Sequence, residues 1–179
     1  MRFEATAIPF MRTVYSRAIS LVGKREDAAD LTQDTYLRAY RAFDTFTPGT
    51  NCRAWLLTIL YSIFVNRYHR KQLEPESMAT EEIERRFQHA VSLETESRSN
   101  DPPFWASEDV ARALTRLQES SRTVIMMVDV DELSYEEAAE ALGRPIGTVR
   151  SRLSRARRIL YSELQDYARR MGYLGGGER

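Results

Sequence analysis

Apolar positions recur at helical spacing along both ends of the chain, and the fold class they predict is all-α. Phe10, Val14, Ala18 and Leu21 predict an amphipathic helix that Gly23-Lys24-Arg25 breaks. The next helix, from Glu26 to about Phe43, carries two apolar stripes. Ala28, Leu31, Thr35, Ala42 and Phe46 lie on one side. Ala29, Tyr36 and Tyr40 lie on the other, with Gln33 among them and Asp30 and Asp34 beside them. A small bundle buries one stripe per helix. The second stripe therefore either docks a partner or lies under a further helix of the same lobe. Thr47-Pro48-Gly49-Thr50-Asn51 is a turn, in which Thr50 or Asn51 caps a long helix from Arg53 to Lys71. Trp55, Leu56, Ile59, Leu60, Ile63 and Phe64 are its expected core. Thr58, Ser62, Asn66 and His69 form a polar stripe that runs into Arg67, Arg70 and Lys71. Terminal cations suit the helix dipole, and the whole stripe equally suits single-stranded nucleic acid.

From Gln72 to Ser107 the periodicity fades into Glu, Ser, Thr and Asn, with Pro102-Pro103 near the end. Ile83, Phe87 and Val91 allow a weak helix, Phe104 and Trp105 are expected to dock on the second lobe, and the rest reads as a flexible tether. Ser107 caps a helix from Glu108 to Leu117, and Ser120 or Ser121 a second one to about Asp129. Their core is Val110, Leu114, Leu117, Val124, Ile125 and Val128. Ser134 with Glu137 is a capping box, and small Ala138 and Ala139 let the helix they open approach a neighbour closely. Gly143 ends that helix and Pro145 forbids its continuation. A second helix begins near Gly147, buries Ile146, Val149, Leu153, Ala156 and Leu160, and runs on through Leu164 and Tyr167 to Gly172. Six arginines and no acid occur between Arg144 and Arg158, set away from the apolar face. A tight two-helix turn with a one-sided basic second helix is a helix-turn-helix fit for a DNA major groove.

Net charge is zero over the 179 residues, which conflicts with nucleic-acid binding until it is divided along the chain. Residues 1–72 hold 11 Lys+Arg against 6 Asp+Glu, residues 73–109 hold 3 against 10, and residues 110–179 hold 12 against 10. Two basic lobes flank an acidic connector. One cysteine, Cys52, and two histidines give neither an internal disulfide nor a zinc set, so no metal or cofactor is expected. No membrane insertion and no small-molecule substrate are expected, and the expected compartment is the reducing cytosol. Motifs of hydrolases, metalloproteases and phosphate-binding loops are missing, which leaves little support for an enzyme.

ADLTQDTYLRAYRAFDTF, PGTNCRAWLLTIL and LSYEEAAEALGRPIGTVRSRLSRARR, in this order, resemble the extracytoplasmic-function sigma factors of bacterial RNA polymerase, compact members of the sigma-70 family. The resemblance implies a region 2 domain at residues 1–72, a linker at 73–107 and a region 4 domain at 108–172, and the glycine run Gly175-Gly176-Gly177 marks residues 173–179 as an expected mobile tail. It implies core-polymerase docking through Asp30, Gln33, Asp34, Tyr36 and Tyr40. It implies −10 recognition through Thr50, Asn51, Arg53, Ser62, Asn66, Arg67, Arg70 and Lys71, with one flipped base held in a pocket lined by Asn66 and the loop. It implies −35 recognition through Arg144, Thr148, Arg150, Ser151, Arg152, Ser154 and Arg155. Trp55 matches a family position too, but its apolar neighbours mark it as core. Core RNA polymerase, promoter DNA and an anti-sigma factor are the partners it implies. Gln118 stands where the family commonly has proline, and Asp131-Glu132 where a glycine is common. The rival reading is a free-standing helix-turn-helix regulator. Such proteins commonly dimerise, and no dimerisation element is evident here.

Overall fold

In the computed structural model, residues 2–71 and 107–173 are described. Eight α-helices are present among them: α1 (Phe3–Ala7), α2 (Met11–Val22), α3 (Arg25–Arg41), α4 (Cys52–Lys71), α5 (Glu108–Thr115), α6 (Glu119–Ile125), α7 (Tyr135–Leu142) and α8 (Ile146–Arg170). No strand occurs among the described residues. The expected linker, its weak helix, Phe104 and Trp105, and the tail beyond Tyr173 lie outside them.

In the first lobe α2 and α3 form a hairpin. Gly23 closes α2 at φ 77°, and its N–H bonds Ile19 O at 2.8 Å. Across this hairpin lies α4, which buries Leu56, Leu57 and Leu60 against Val14, Ala18, Ile19, Ala28, Leu31 and Ala39. Asn51 caps α4, its Oδ1 accepting from the Ala54 N–H at 3.1 Å. Trp55 joins Phe43 and Phe46 in an aromatic cluster, with ring centroids 6.3 and 5.1 Å away, in keeping with a packing role.

Opening residues 2–10, which carry no long periodic pattern, form α1 and a 3-10 turn at Ile8–Phe10. They cover half of the second stripe on α3. Tyr36 is only 9% exposed, donates its hydroxyl to Ala7 O at 2.9 Å and meets Phe3 edge to face. The covering-helix reading of that stripe thus holds in part, while Tyr40 remains 62% exposed and Leu37 46%.

The second lobe wraps α5, α6 and α7 around α8. Val110, Leu114, Leu117, Val124 and Ile125 are buried as expected, and Val128 is half-buried. Gln118, not Ser120 or Ser121, is the N-cap of α6; its backbone at φ −57°, ψ 145° is the conformation a proline ring imposes. This helix also stops sooner than the apolar pattern suggests. At Ile125 it widens into a π-turn over Met126–Val130, closed by the Asp131 N–H on Met126 O at 2.9 Å. Glu132 follows at φ 59°, the left-handed region where a glycine would be at ease. The capping box of α7 is complete: Glu137 N–H donates to Ser134 Oγ at 3.1 Å and Ser134 N–H to Glu137 Oε2 at 2.7 Å. Gly143 ends α7 in the left-handed conformation. The end of α8 packs on its own lobe, with Leu160, Leu164 and Tyr167 against the core and Arg170 paired to Asp109 at 2.9 Å.

Close approach of α7, expected from its small residues, is made to α4 of the first lobe as well as to α8. The buried residues of the two lobes run into one continuous core. Ser134→Ala removes the first half of the capping box and is expected to destabilise the second lobe by about 1 kcal/mol. Thermal unfolding followed by circular dichroism should show a midpoint lowered by roughly 2–4 °C, and an unchanged midpoint would mean the cap contributes nothing.

Candidate nucleic-acid interface

On α8 the inner row Val149, Leu153 and Ala156 is fully buried, and this orients the rest of the helix. Arg150, Ser151, Ser154, Arg155 and Arg158 are exposed on the outer side, Thr148 and Arg152 are partly exposed, and Arg144 stands free in the turn before it. Each expected −35 residue is therefore open to a partner. Arg155 folds back on its own helix, Nε donating to Ser151 O at 3.2 Å, while Ser151 Oγ donates to Thr148 O at 3.1 Å. Such local bonds at an exposed surface exchange readily for base-edge or phosphate bonds.

Two neighbouring arginines are braced. The Arg150 guanidinium lies over the Tyr135 ring, 5.5 Å from its centroid, a cation–π contact that points it off the first residue of α7. Arg157 makes a two-pronged pair with Asp129, at 3.1 and 2.5 Å. Its hydrogen bond with Asp129 holds the guanidinium's pKa above the usual value against the opposing effect of burial. Arg157 is thus a strut between recognition helix and π-turn. An acid 28 residues earlier gave no sequence signal for it.

Residues expected to meet the −10 strand do not lie on one surface. Ser62 and Asn66, four apart, share a face of α4, Asn66 exposed and Ser62 partly so. Thr50 and Asn51 are exposed at its N-terminal end. Arg53 lies on roughly the opposite side of the helix at 100° per residue. There its Nη1 donates to Asp131 O at 2.9 Å and its Nη2 approaches Asp131 Oδ1 at 3.4 Å. Arg53 is thereby withdrawn from any phosphate in this arrangement, a correction to the expected set. Arg67 pairs with Asp34 of α3, and the Arg70 and Lys71 side chains lie outside the described residues. Of the docking set, Asp30, Gln33 and Tyr40 are exposed and Asp34 is half-exposed beside Arg67. Tyr36 is the second correction: buried beneath α1, it holds the surface in shape and cannot touch a partner.

Cys52, the first residue of α4, is buried, and burial pushes its thiol pKa up. Burial first, and then the neighbouring Cys52, also raises the Tyr36 hydroxyl. No helix among the described residues is long and apolar enough to cross a membrane.

This arrangement has known counterparts. Residues 9–74 match the family described as Sigma-70 region 2, and residues 107–160 the family described as Sigma-70, region 4. The chain is 35% identical over 151 residues to the ECF RNA polymerase sigma factor EcfG of Rhodopseudomonas palustris (strain TIE-1), covering 84% of this chain and 77% of that protein. It is 33% identical over 149 residues to the ECF RNA polymerase sigma-E factor of Escherichia coli (strain K12), covering 80% and 77%. Among solved structures it resembles the sigma factor RpoE crystallised in complex with the anti-sigma factor NepR from Bartonella quintana. That match has a TM-score of 0.59 and 32% identity, over 91% of this chain and 96% of that one.

A raised thiol pKa leaves less thiolate at neutral pH, and burial blocks access to it. The native chain is therefore expected to react with a colorimetric thiol reagent far more slowly than the urea-unfolded chain. Equal rates would show that Cys52 is open to oxidants.

Proposed function

The chain belongs to the extracytoplasmic-function sigma factors of bacterial RNA polymerase, and we propose how its two lobes divide the reading of a promoter. As a member of that family it binds core RNA polymerase and directs promoter-specific initiation, with −35 duplex DNA and melted −10 DNA as its two targets.

On this reading residues 108–172 are the −35 lobe. Arg150, Ser151, Ser154 and Arg155 meet base edges, and Arg144, Thr148 and Arg152 meet the backbone. Arginine satisfies the paired acceptors of guanine, and serine accepts or donates to any base. Residues 1–72 are the −10 and polymerase lobe, joined to the other by the 73–107 tether. The Ser62–Asn66 face and the Thr50–Asn51 loop take the opened strand, Arg67, Arg70 and Lys71 neutralise phosphates, and Asp30, Gln33, Asp34 and Tyr40 dock on polymerase. The chain catalyses no reaction. Binding the extruded base and its strand shifts the melting equilibrium toward open DNA. It works in the cytoplasm, where polymerase and promoter are, and an anti-sigma factor is its inhibitor, by analogy with the RpoE–NepR complex.

The observation that carries this reading is the one-sidedness of α8: a fully buried Val149–Leu153–Ala156 row opposite an exposed row of arginine and serine without an acid. Run-off transcription with purified core polymerase on a fragmented genome is the test, followed by footprinting on the promoter it selects. Arg155→Ala should weaken −35 binding by about 1–3 kcal/mol and relax preference at one base pair. Arg157→Ala, which loses the strut to Asp129 and a hydrogen bond with Tyr135 but no outward-facing donor, should leave that preference intact. No selective transcript would refute the reading, and an unchanged Arg155→Ala footprint would remove Arg155 from the site.

A further inference from the structure

The Asp131 side chain is completely buried, yet it is an acid. A carboxylate stays in an interior only when donors surround it. The three side-chain donors around Asp131 all come from the other lobe. Arg17 Nη2 on α2 lies 2.7 Å from Oδ1, Arg53 Nη2 on α4 lies 3.4 Å from the same oxygen, and Tyr61 on α4 donates its hydroxyl to Oδ2 at 2.7 Å. Arg53 also donates to the Asp131 carbonyl at 2.9 Å. Arg17 is itself only 1% exposed and Tyr61 is fully buried. Burial and the adjacent Asp131 carboxylate drive the Tyr61 hydroxyl well above its ordinary pKa, so it stays a donor.

Backbone geometry delivers the acid to this spot. The π-turn at Met126–Val130 ends in Asp131, and Glu132 next to it holds a left-handed conformation unusual for its residue type. Strain of that kind persists only where surrounding contacts over-determine it. Beside the cluster, α7 packs on α4.

Closed in this way, the chain cannot do what its family does. A compact chain of 179 residues has a radius of gyration of about 16 Å and is roughly 40 Å across. Positions −35 and −10 are about 25 base pairs apart, or roughly 85 Å of duplex at 3.4 Å per pair. One lobe on each element requires the lobes to part. We propose that Asp131, held by Arg17, Arg53 and Tyr61, is an autoinhibitory clasp that keeps the free chain shut until core polymerase draws the lobes apart.

Its chemistry suits a reversible contact. Complete, the cluster sets two guanidinium groups and a hydroxyl on one carboxylate in a largely buried interface. With the carboxylate removed, two guanidinium groups face each other there. Once the lobes separate, each of these groups is hydrated, although the apolar packing of α7 on α4 has to part with them. Opening also releases Arg53, which returns a cation to the first-lobe surface. The proposal rests on the assignment of the two lobes to separate promoter elements, but the shape of the free chain tests it without polymerase.

The experiment uses the full chain with Asp131→Ala and Tyr61→Phe, the second losing one hydroxyl and keeping the ring. Small-angle scattering should give wild type the smallest radius of gyration, Asp131→Ala the largest, and Tyr61→Phe one between. Far-UV circular dichroism should match in all three. In stopped-flow binding to core polymerase, the wild-type rate should level off with polymerase concentration as opening becomes limiting. For Asp131→Ala it should keep rising and exceed wild type several-fold. Equal radii and equal rates for Asp131→Ala and wild type would overturn the clasp. If Asp131→Ala loses helicity, Tyr61→Phe decides by the same two readouts. An expanded variant that supports no selective initiation would instead overturn the promoter reading and leave the clasp standing.

Discussion

A charged carboxylate in a protein interior must be matched by donors in the same dry volume, and Asp131 meets that condition only by recruiting the opposite lobe. Breaking such a cluster from one side typically costs about 3–5 kcal/mol, because the remaining charges stay buried and unmatched. Several irregular features become intelligible from this one requirement. The end of α6 widens, Glu132 adopts a conformation better suited to glycine, and Arg53 turns away from the loop it adjoins. Each brings a donor or the acceptor to the shared site.

The same short segment serves both ends of the molecule. Asp129, inside the π-turn, holds Arg157 of the recognition helix, and Asp131, just past it, holds the first lobe. Tyr135 at the start of α7 supports Arg150, while α7 itself rests on α4. The outer row of α8 and the Asn66 side of α4 both remain accessible. Closure therefore leaves the reading surfaces uncovered and acts on the distance between them. That separates it from inhibition by covering a site, which is the natural role of a second protein.

The helix-turn-helix was legible in the sequence because its signals are local. Ser134 and Glu137 lie three apart, Gly143 and Pro145 end and bend the chain, and Val149, Leu153 and Ala156 repeat at helical spacing. The first-lobe core followed only in part from the same periodicity. On α4 Leu56 and Leu60 are buried as expected, Trp55, Ile59, Ile63 and Phe64 only partly, and the fully buried Leu57 and Tyr61 lay off the expected stripe. Tyr36 was misplaced because the five-residue α1 that covers it is too short to show a period. The closed-state role of Arg53 was hidden for another reason: a cation near a basic helix looks like a phosphate ligand, and the acceptor it holds in this arrangement lies 78 residues on. Arg17 and Asp131, 114 residues apart, are polar and so disappear from any hydrophobic pattern. The one local trace was an acid pair, Asp131-Glu132, where a glycine is usual, and it marked the strained turn without revealing what the turn held in place.

That the lobes work apart on the promoter and rest together without it is the central claim, and the distance between them measures it directly. Spin labels on cysteines introduced at exposed Asp27 and Tyr161, one on each lobe, report that distance by pulsed electron paramagnetic resonance. The free chain should give one short, narrow distribution, replaced by a much longer one when core polymerase and promoter DNA are bound. A distribution that is already long in the free chain, or that stays short in the complex, would contradict the account.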